Sequence, residues 1–159
     1  MDHSDRTWAL YGLLHVLFSS FESLLDYQYV KHTQIPLEDF PHAFGKKTLG
    51  NKIGALTELA NSYPSLTDTA TKAKALFADS KRNTFAHGRI FTSENRGGVK
   101  AVNARTYPVS PDDVVDMTLP QFTDFCGELS QAIHCFQIEI GVSEEELVTF
   151  VRKMTATSK

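Results

Sequence analysis

The segment KRNTFAHG, residues 81–88, is the stretch around which the rest of this chain is arranged. Apolar residues before it recur at helical spacing, which predicts that the segment ends a long third helix. Residues four apart lie on the same face of a helix, so Asn83 and His87 are expected to be stacked, with Arg82 one position round the cylinder. The polar ends of these three side chains are therefore predicted to meet in one patch.

These three side chains suit the chemistry of a phosphate ester. The Arg82 guanidinium can donate two parallel hydrogen bonds to a phosphate and neutralise charge that develops during displacement. The His87 imidazole can take a proton from a ribose 2'-hydroxyl or return one to a leaving oxygen. The Asn83 amide, one helical turn before His87, can hold the ring in one tautomer or bind phosphate. Together they predict a catalytic site for cleaving RNA without a metal.

The same run resembles the Arg-x4-His signature of the HEPN superfamily (higher eukaryotes and prokaryotes nucleotide-binding), with Asn directly after the Arg. Arg82, Asn83 and His87 fall on the motif positions. The resemblance implies a helical bundle, a homodimer with two facing motifs, and an endoribonuclease that needs no metal or other cofactor. It also implies a toxin or defence effector, with a neutralising antitoxin-like protein as partner. Many toxins of the family carry a Tyr two residues after the His for adenylylation; here Arg89 stands there, so that regulation is not expected.

Composition limits the class of protein. The chain has 159 residues, 42% hydrophobic and 22% charged, which is typical of a single soluble domain with its own core. The apolar run from Trp8 to Phe18 has no basic leader and is followed by polar residues, so no signal peptide or membrane span is expected and the predicted location is cytoplasmic. Cys126 and Cys135 are nine residues apart in one predicted helix, on opposite faces, and no Cys or His spacing predicts a metal site.

The formal net charge is −3, but charge is unevenly distributed. Residues 46–105 contain 11 basic and 4 acidic residues, a net charge of +7, and the Arg82 motif lies inside this segment. A local positive field favours binding of a phosphate backbone, although a solvated basic helix face would show the same charges. The candidate RNA-binding cations are Lys46, Lys47, Lys52, Lys81, Arg89 and Arg96.

Periodicity and capping patterns place the other elements. The predicted helices span about 5–31, 48–62, 65–87, 118–140 and 143 onward, the last three opening with capping boxes. Two β-prone runs, at 89–92 and 99–107, predict a small hairpin or mobile loop whose polar residues can close over RNA. Those residues are Arg96, Lys100, Arg105 and Tyr107. The expected fold class is therefore all-α, a bundle of about five helices with a small β-hairpin or loop insertion after the motif helix.

Four local expectations concern single residues. Gly88 is predicted to end the motif helix in a left-handed conformation, which would leave His87 at the negative end of the helix dipole and favour its imidazolium form. Gly50 and Gly54 are expected to let another helix approach closely. His15 is expected to be a core or interface histidine. The run around Gly45 lacks the Gly-Lys-Ser/Thr ending of a P-loop, so no nucleotide site is predicted there.

Three functions remain open from the sequence. The leading hypothesis is the endoribonuclease, which attacks the phosphate through a 2'-hydroxyl and leaves a 2',3'-cyclic phosphate. A non-catalytic module of the same fold that binds RNA, nucleotide or a protein is the second, because related folds support both roles. An interaction scaffold unrelated to nucleic acid is the third. In that last case, Asn83 and His87 would form a buried polar pair inside the bundle.

Overall fold

The mostly helical class that the apolar periodicity predicts is confirmed. A computed structural model describes residues 2–92, 96–105 and 108–156, and it is 71% helical with a three-stranded antiparallel sheet. In chain order its main elements are α1 (His3–Thr33), α2 (Leu49–Leu59), α3 (Thr67–Asp79), α4 (Arg82–His87), β1 (Arg89–Phe91), β2 (Val99–Val102), β3 (Val114–Met117), α5 (Leu119–Glu139) and α6 (Glu144–Ala156). A π-helical turn spans Pro41–Gly45, and 3-10 turns span Pro64–Leu66 and Pro111–Asp113.

Two of the three predicted capping boxes are present. The Gln121 backbone nitrogen donates to Thr118 Oγ1 at 3.4 Å, and Gln121 Oε1 accepts from the Thr118 backbone nitrogen at 2.9 Å. Ser143 and Glu146 pair in the same way at the start of α6. The predicted box at Ser65 is wrong, because Pro64 begins a 3-10 turn and α3 starts only at Thr67. The structure also begins α1 at His3 and not at about residue 5 as predicted.

The predicted third helix is two helices. α3 ends at Asp79, Ser80 is 1% exposed, and its hydroxyl donates to the Phe77 carbonyl at 2.8 Å. Lys81 then adopts a left-handed conformation, with φ 52° and ψ 23°, before α4 begins. A serine hydroxyl that bonds to nearby backbone competes with helix continuation. The motif therefore lies on a separate six-residue helix and not at the end of a long one.

The described residues form two compact units, and the motif belongs to the one made of Met1–Phe18 and Phe77–Ala132. Its core includes Leu14, Phe85, Phe122 and Cys126, all at most 1% exposed. Its sheet has the order β1-β2-β3, with Ile90 opposite Ala101 and Ala101 opposite Val115. β1 and β2 confirm the predicted hairpin, whereas β3 was not predicted.

Gly97 and Gly98 connect this sheet to α1. Both have positive φ angles, 63° and 84°, which L side chains rarely adopt. The Gly98 nitrogen donates to Thr7 Oγ1 at 3.0 Å, and a Cβ on Gly97 would lie 2.7 Å from the His3 carbonyl oxygen. Glycine is therefore required here by both conformation and space. The predicted stacking residue Tyr107 lies outside the described residues.

The second unit comprises Ser19–Leu76 and Ile133–Lys159. Lys52, a predicted phosphate contact, is only 1% exposed here, so that prediction is wrong. Its Nζ lies 2.7 Å from Glu22 Oε1 and 2.7 Å from Asp26 Oδ1. The close helix approach predicted at Gly54 is also wrong. In the described chain, nothing lies within 4 Å of where a Cβ on Gly54 would be, so no helix packs closely against this residue.

Helix α1 is long and apolar enough to cross a membrane, by length and composition only. Its mean hydropathy over the best 18-residue window is 1.3, and 33% of that window is buried within the protein. A buried core helix of a soluble protein meets the same criteria. His15 on this helix is exposed, so the core alternative predicted for it is wrong; its ring lies 4.6 Å from that of Tyr11.

Candidate functional site

The short helix α4 is held by one buried aromatic residue. Phe85 is 1% exposed, and its ring lies 5.8 Å from each of the Phe122 and Phe125 rings. The Tyr11 hydroxyl donates to the Phe85 carbonyl at 3.0 Å, which satisfies one acceptor that a helix end leaves unpaired. Because a helix this short is not stable alone, these contacts fix the direction of its remaining side chains. Asn83 and His87 are exposed as a result.

Arg82 and His87 are the first and last residues of α4, and their side chains contact each other in an exposed position. Arg82 Nη1 lies 3.2 Å from His87 Nε2. A guanidinium can only donate hydrogen bonds, so Nε2 is the acceptor and the ring is neutral, with its proton on Nδ1. The predicted meeting of these two side chains is therefore confirmed. Asn83 makes no side-chain hydrogen bond within the described residues, so the partner of the imidazole is Arg82 and not Asn83 as expected.

The predicted conformation of Gly88 is wrong. Its φ of −79° and ψ of 165° are extended, not left-handed. The residue is nevertheless restricted by space, since a Cβ there would overlap the Thr84 carbonyl oxygen and lie 3.1 Å from that of Val102. Gly88 therefore lets strand β1 leave directly from the end of α4, close to β2.

The pKa of His87 shifts in the direction opposite to that expected. Partial burial lowers this pKa most, and the nearby positive charges of Arg105 and then Arg82 lower it further. The dipole of a six-residue helix is too small to offset two guanidinium groups at close range. The imidazole is therefore neutral at pH 7, and the predicted imidazolium is a correction. A neutral ring is suited to accept a proton, as a general base does.

Three further cations lie on this unit near the motif in sequence or in space. Lys81 precedes α4 and Arg89 follows it on β1, and neither side chain forms a hydrogen bond or ion pair with any other described residue. Arg105 is exposed and near enough to His87 to change its pKa. The sequence predicted Arg105 as one of the hairpin or loop residues that can close over RNA, and not as a neighbour of His87. Its approach to His87 depends on the pairing of β1 with β2.

The other predicted RNA-binding residues are not part of this cluster. Lys46 and Lys47 are exposed between the π-helical turn and α2, in the second unit. Arg96 borders a cavity of about 700 Å³ together with Arg6 and Leu119. Lys100 is paired with Asp116 at 3.0 Å, across β2 and β3. Within the unit that carries the motif, the structure thus brings together Arg82, His87 and Arg105, whereas Arg96 borders another cavity and Lys100 is paired.

A cleft of about 390 Å³ adjoins the motif on the same unit. Its lining includes Lys81, Arg82 and Asn83 at the start of α4, and Asp112 and Asp113 from the Pro111 turn. The two aspartates were not predicted as site residues. They follow Pro111 in a 3-10 turn about 30 residues from the motif, so no local pattern in the sequence connects them to it.

Comparisons of the chain with protein-family models, with curated proteins and with solved structures found no match. Among the described residues, no group of three or more His, Cys, Asp or Glu side chains is placed to hold a metal ion.

Proposed function

We propose that this chain is a cytoplasmic, metal-independent endoribonuclease of the HEPN type, acting as a homodimer. The observation that carries the proposal is the exposed contact on α4 between Arg82 Nη1 and His87 Nε2, which are 3.2 Å apart. It places a fixed cation beside a neutral imidazole where a nucleic acid backbone can reach both. The toxin or defence role, with an antitoxin-like partner, is part of the proposal through the sequence resemblance.

The proposed reaction begins with the scissile phosphate bound to Arg82. A phosphate oxygen is a stronger acceptor for the guanidinium than an imidazole nitrogen, so binding releases Nε2 of His87. The free Nε2 then takes the proton of the ribose 2'-hydroxyl, and the 2'-oxygen attacks phosphorus. The bond to the 5'-oxygen breaks and this oxygen takes a proton from water, while His87 returns its proton to solvent, which gives 2',3'-cyclic phosphate and 5'-hydroxyl ends. Arg82 stabilises the additional charge on the phosphorane.

The surrounding cations support backbone binding in this proposal. Lys81 and Arg89 lie on either side of α4 and can contact phosphates next to the scissile one. Burial lowers the pKa of His87 most, and Arg105 lowers it further and adds positive potential at the same place. Asn83 borders the cleft beside Arg82 and is proposed to bind the phosphate or the ribose.

Cleavage of RNA in the presence of EDTA tests this proposal. We expect the wild-type protein to produce 2',3'-cyclic phosphate ends, and His87→Ala to be slower by about 10²-fold or more, as for loss of a general base. Arg82→Ala should be similarly impaired. His134→Ala is the matched control, since His134 is an exposed histidine on α5 outside the cluster. Equal cleavage by the wild-type and His87→Ala proteins would remove the mechanism.

A non-catalytic RNA-binding module is the second candidate. It is favoured by the same Arg82 contact, because Nε2 of His87 is already occupied in the free protein. In that case RNA should bind without new product ends. Each of Lys81→Gln and Arg89→Gln should then lower the slope of log affinity against log salt concentration by about one. Salt-independent or undetectable binding would leave an interaction scaffold instead.

The proposed homodimer has support from exposed apolar side chains on α1. Trp8 and Leu13 are 47% and 43% exposed, and apolar side chains exposed on one helix are available for a contact between protomers. Sedimentation equilibrium of the wild-type protein tests this assignment. We expect a dimer that dissociates when Trp8→Glu is introduced; a wild-type monomer at all concentrations would contradict it.

A further inference from the structure

The cleft beside Arg82 is lined by both positively and negatively charged side chains. Arg82 borders the cleft and also contacts His87, so the cleft begins where the proposed reaction centre ends. Lys81 and Asn83 lie at this end and supply hydrogen-bond donors. The lining also includes Asp112 and Asp113, whose carboxylates only accept hydrogen bonds when ionised. A ligand that fits has a negative group at one end and donors at the other.

The Asp112 and Asp113 carboxylates retain oxygens without a hydrogen-bond donor in the described part of the chain. No ion pair joins either of them to Lys81 or Arg82 in the described part of the chain. Asn103 Nδ2 donates to Asp113 Oδ1 over a long 3.5 Å, and the Asp112 backbone nitrogen donates to Ser110 Oγ at 3.3 Å. These contacts hold the turn, and they leave Asp113 Oδ2 and both oxygens of Asp112 as acceptors. These acceptors are therefore available to a ligand.

An aromatic ring completes the cleft. Phe77 is part of its lining and is only half-buried, so one face of the ring can be covered by a ligand. Unpaired nucleobases stack on such rings, and stacking is largely independent of base identity. The volume of about 390 Å³ lies within the range of small-ligand sites. Stacking on Phe77 would leave the edge of the base to select among ligands.

We propose that this cleft binds a guanine base of the RNA, next to the phosphate held by Arg82. The Watson–Crick edge of guanine presents N1–H and an N2 amino group side by side, and a carboxylate can accept both. Adenine and cytosine each offer one exocyclic amino donor beside an acceptor, and uracil offers one N–H between two carbonyl oxygens that a carboxylate repels. The order of preference is therefore guanine first and uracil last. This subsite rests on the proposed function for its place in a reaction, but not for its ability to bind a nucleotide.

Binding of the four nucleoside 3'-monophosphates to the intact protein, followed by NMR or calorimetry, tests the subsite. We expect 3'-GMP to bind at least about fivefold more tightly than 3'-UMP, as for a bidentate contact to one base. Asp112→Asn with Asp113→Asn should reduce this ratio to near one while keeping side-chain size. Asp124→Asn, which removes an exposed carboxylate outside the cleft, should leave the ratio unchanged. Equal affinity for all four nucleotides, or a ratio that the double variant retains, would overturn the proposal.

Mapping of cut sites separates this proposal from the cleavage mechanism. In oligoribonucleotides that differ at one position, we expect cuts beside guanine, and loss of that preference in the Asp112 and Asp113 double variant. His87-dependent cleavage with no base preference would overturn the subsite and keep the nuclease. Selective binding of 3'-GMP without any cleavage would keep the subsite and overturn the nuclease. Phe77→Leu should weaken binding of all four nucleotides alike; selective loss of 3'-GMP alone would contradict the stacking role.

Discussion

Removal of the buried cation Lys52 should destabilise the protein strongly. Its side chain is 2% exposed and its Nζ lies 2.7 Å from both Glu22 Oε1 and Asp26 Oδ1. The Phe44 ring lies 5.6 Å away, so little water can replace the ammonium group. Lys52→Met keeps most of the side-chain volume and leaves the two carboxylates uncompensated. Breaking a buried pair by removing one partner costs about 3 to 5 kcal/mol.

The environments of the two carboxylates decide where in this range the loss of stability lies. Glu22 is 35% exposed and can turn to water, whereas Asp26 is 17% exposed and cannot do so easily. Burial raises the pKa of Asp26 to about 6, although Lys52 partly opposes this. Relative to about 3.9 in an unfolded chain, ionised Asp26 already costs the folded state about 3 kcal/mol. Without Lys52 the carboxyl is expected to be protonated at pH 7, which limits the loss to about 3 kcal/mol.

The pH dependence gives the sign of the effect. A carboxyl whose pKa is raised on folding contributes stability that is fully present below its unfolded pKa and lost as pH rises through its folded value. The Asp26 contribution in the wild type is therefore lost between about pH 4 and about pH 6. Loss of Lys52 raises the folded pKa further. The deficit of Lys52→Met against the wild type should thus narrow as pH falls from about 7 towards 5.

Urea unfolding followed by circular dichroism measures this deficit at each pH. Lys52→Met with Asp26→Asn should recover at least about 1 kcal/mol relative to Lys52→Met alone, because an amide is neutral at pH 7 without the free-energy cost of protonating a carboxyl. A surface control is Lys74→Met on the exposed side of α3. A Lys52→Met protein within about 1 kcal/mol of the wild type at pH 7, or a deficit that does not change with pH, would refute the reasoning.

Three further predictions concern the motif. Arg105→Gln should raise the pKa of His87, since Arg105 lowers this pKa more than Arg82 does. NMR titration of the ring measures the pKa, and an unchanged value would show that Arg105 does not act on His87. Gly88→Ala should lower the free energy of unfolding by about 1 to 3 kcal/mol, because its methyl group would overlap the Thr84 carbonyl, and wild-type stability would contradict this. Lys81→Gly should be more stable than Lys81→Ala by about 1 kcal/mol, as the φ of 52° favours glycine; thermal unfolding of both variants decides.

The break before the motif shows where pattern reasoning failed. The residues from Ala73 to Ser80 are compatible with an uninterrupted helix, and nothing in their periodicity marks Ser80 as its end. The break requires Ser80 to be buried and Lys81 to take a left-handed conformation. Such a conformation costs of order 1 kcal/mol, and the burial of Phe85 in the core offsets it. That contact joins residues distant in sequence, so no local pattern could predict it.

The sequence by itself determined what depends on near neighbours. Helical class, two of the capping boxes and the β1–β2 hairpin follow from periodicity and local hydrogen bonding. That Arg82 and His87 lie in one patch follows as well, because both are on one short helix. The hydrogen-bond partner does not follow, since spacing of four residues favours Asn83 and the ring contacts Arg82.

Only the tertiary structure decided what depends on burial and on charges distant along the chain. Strand β3 and the Pro111 turn place Asp112 and Asp113 at the cleft beside Arg82. Burial lowers the pKa of His87 most, and Arg105, which the β1–β2 pairing brings towards the ring, lowers it further, so the shift is opposite to the expected one. Lys52, which the sequence offers as a surface cation, is enclosed with two carboxylates. Desolvation and Coulomb interactions depend on three-dimensional distance, which the order of residues does not specify.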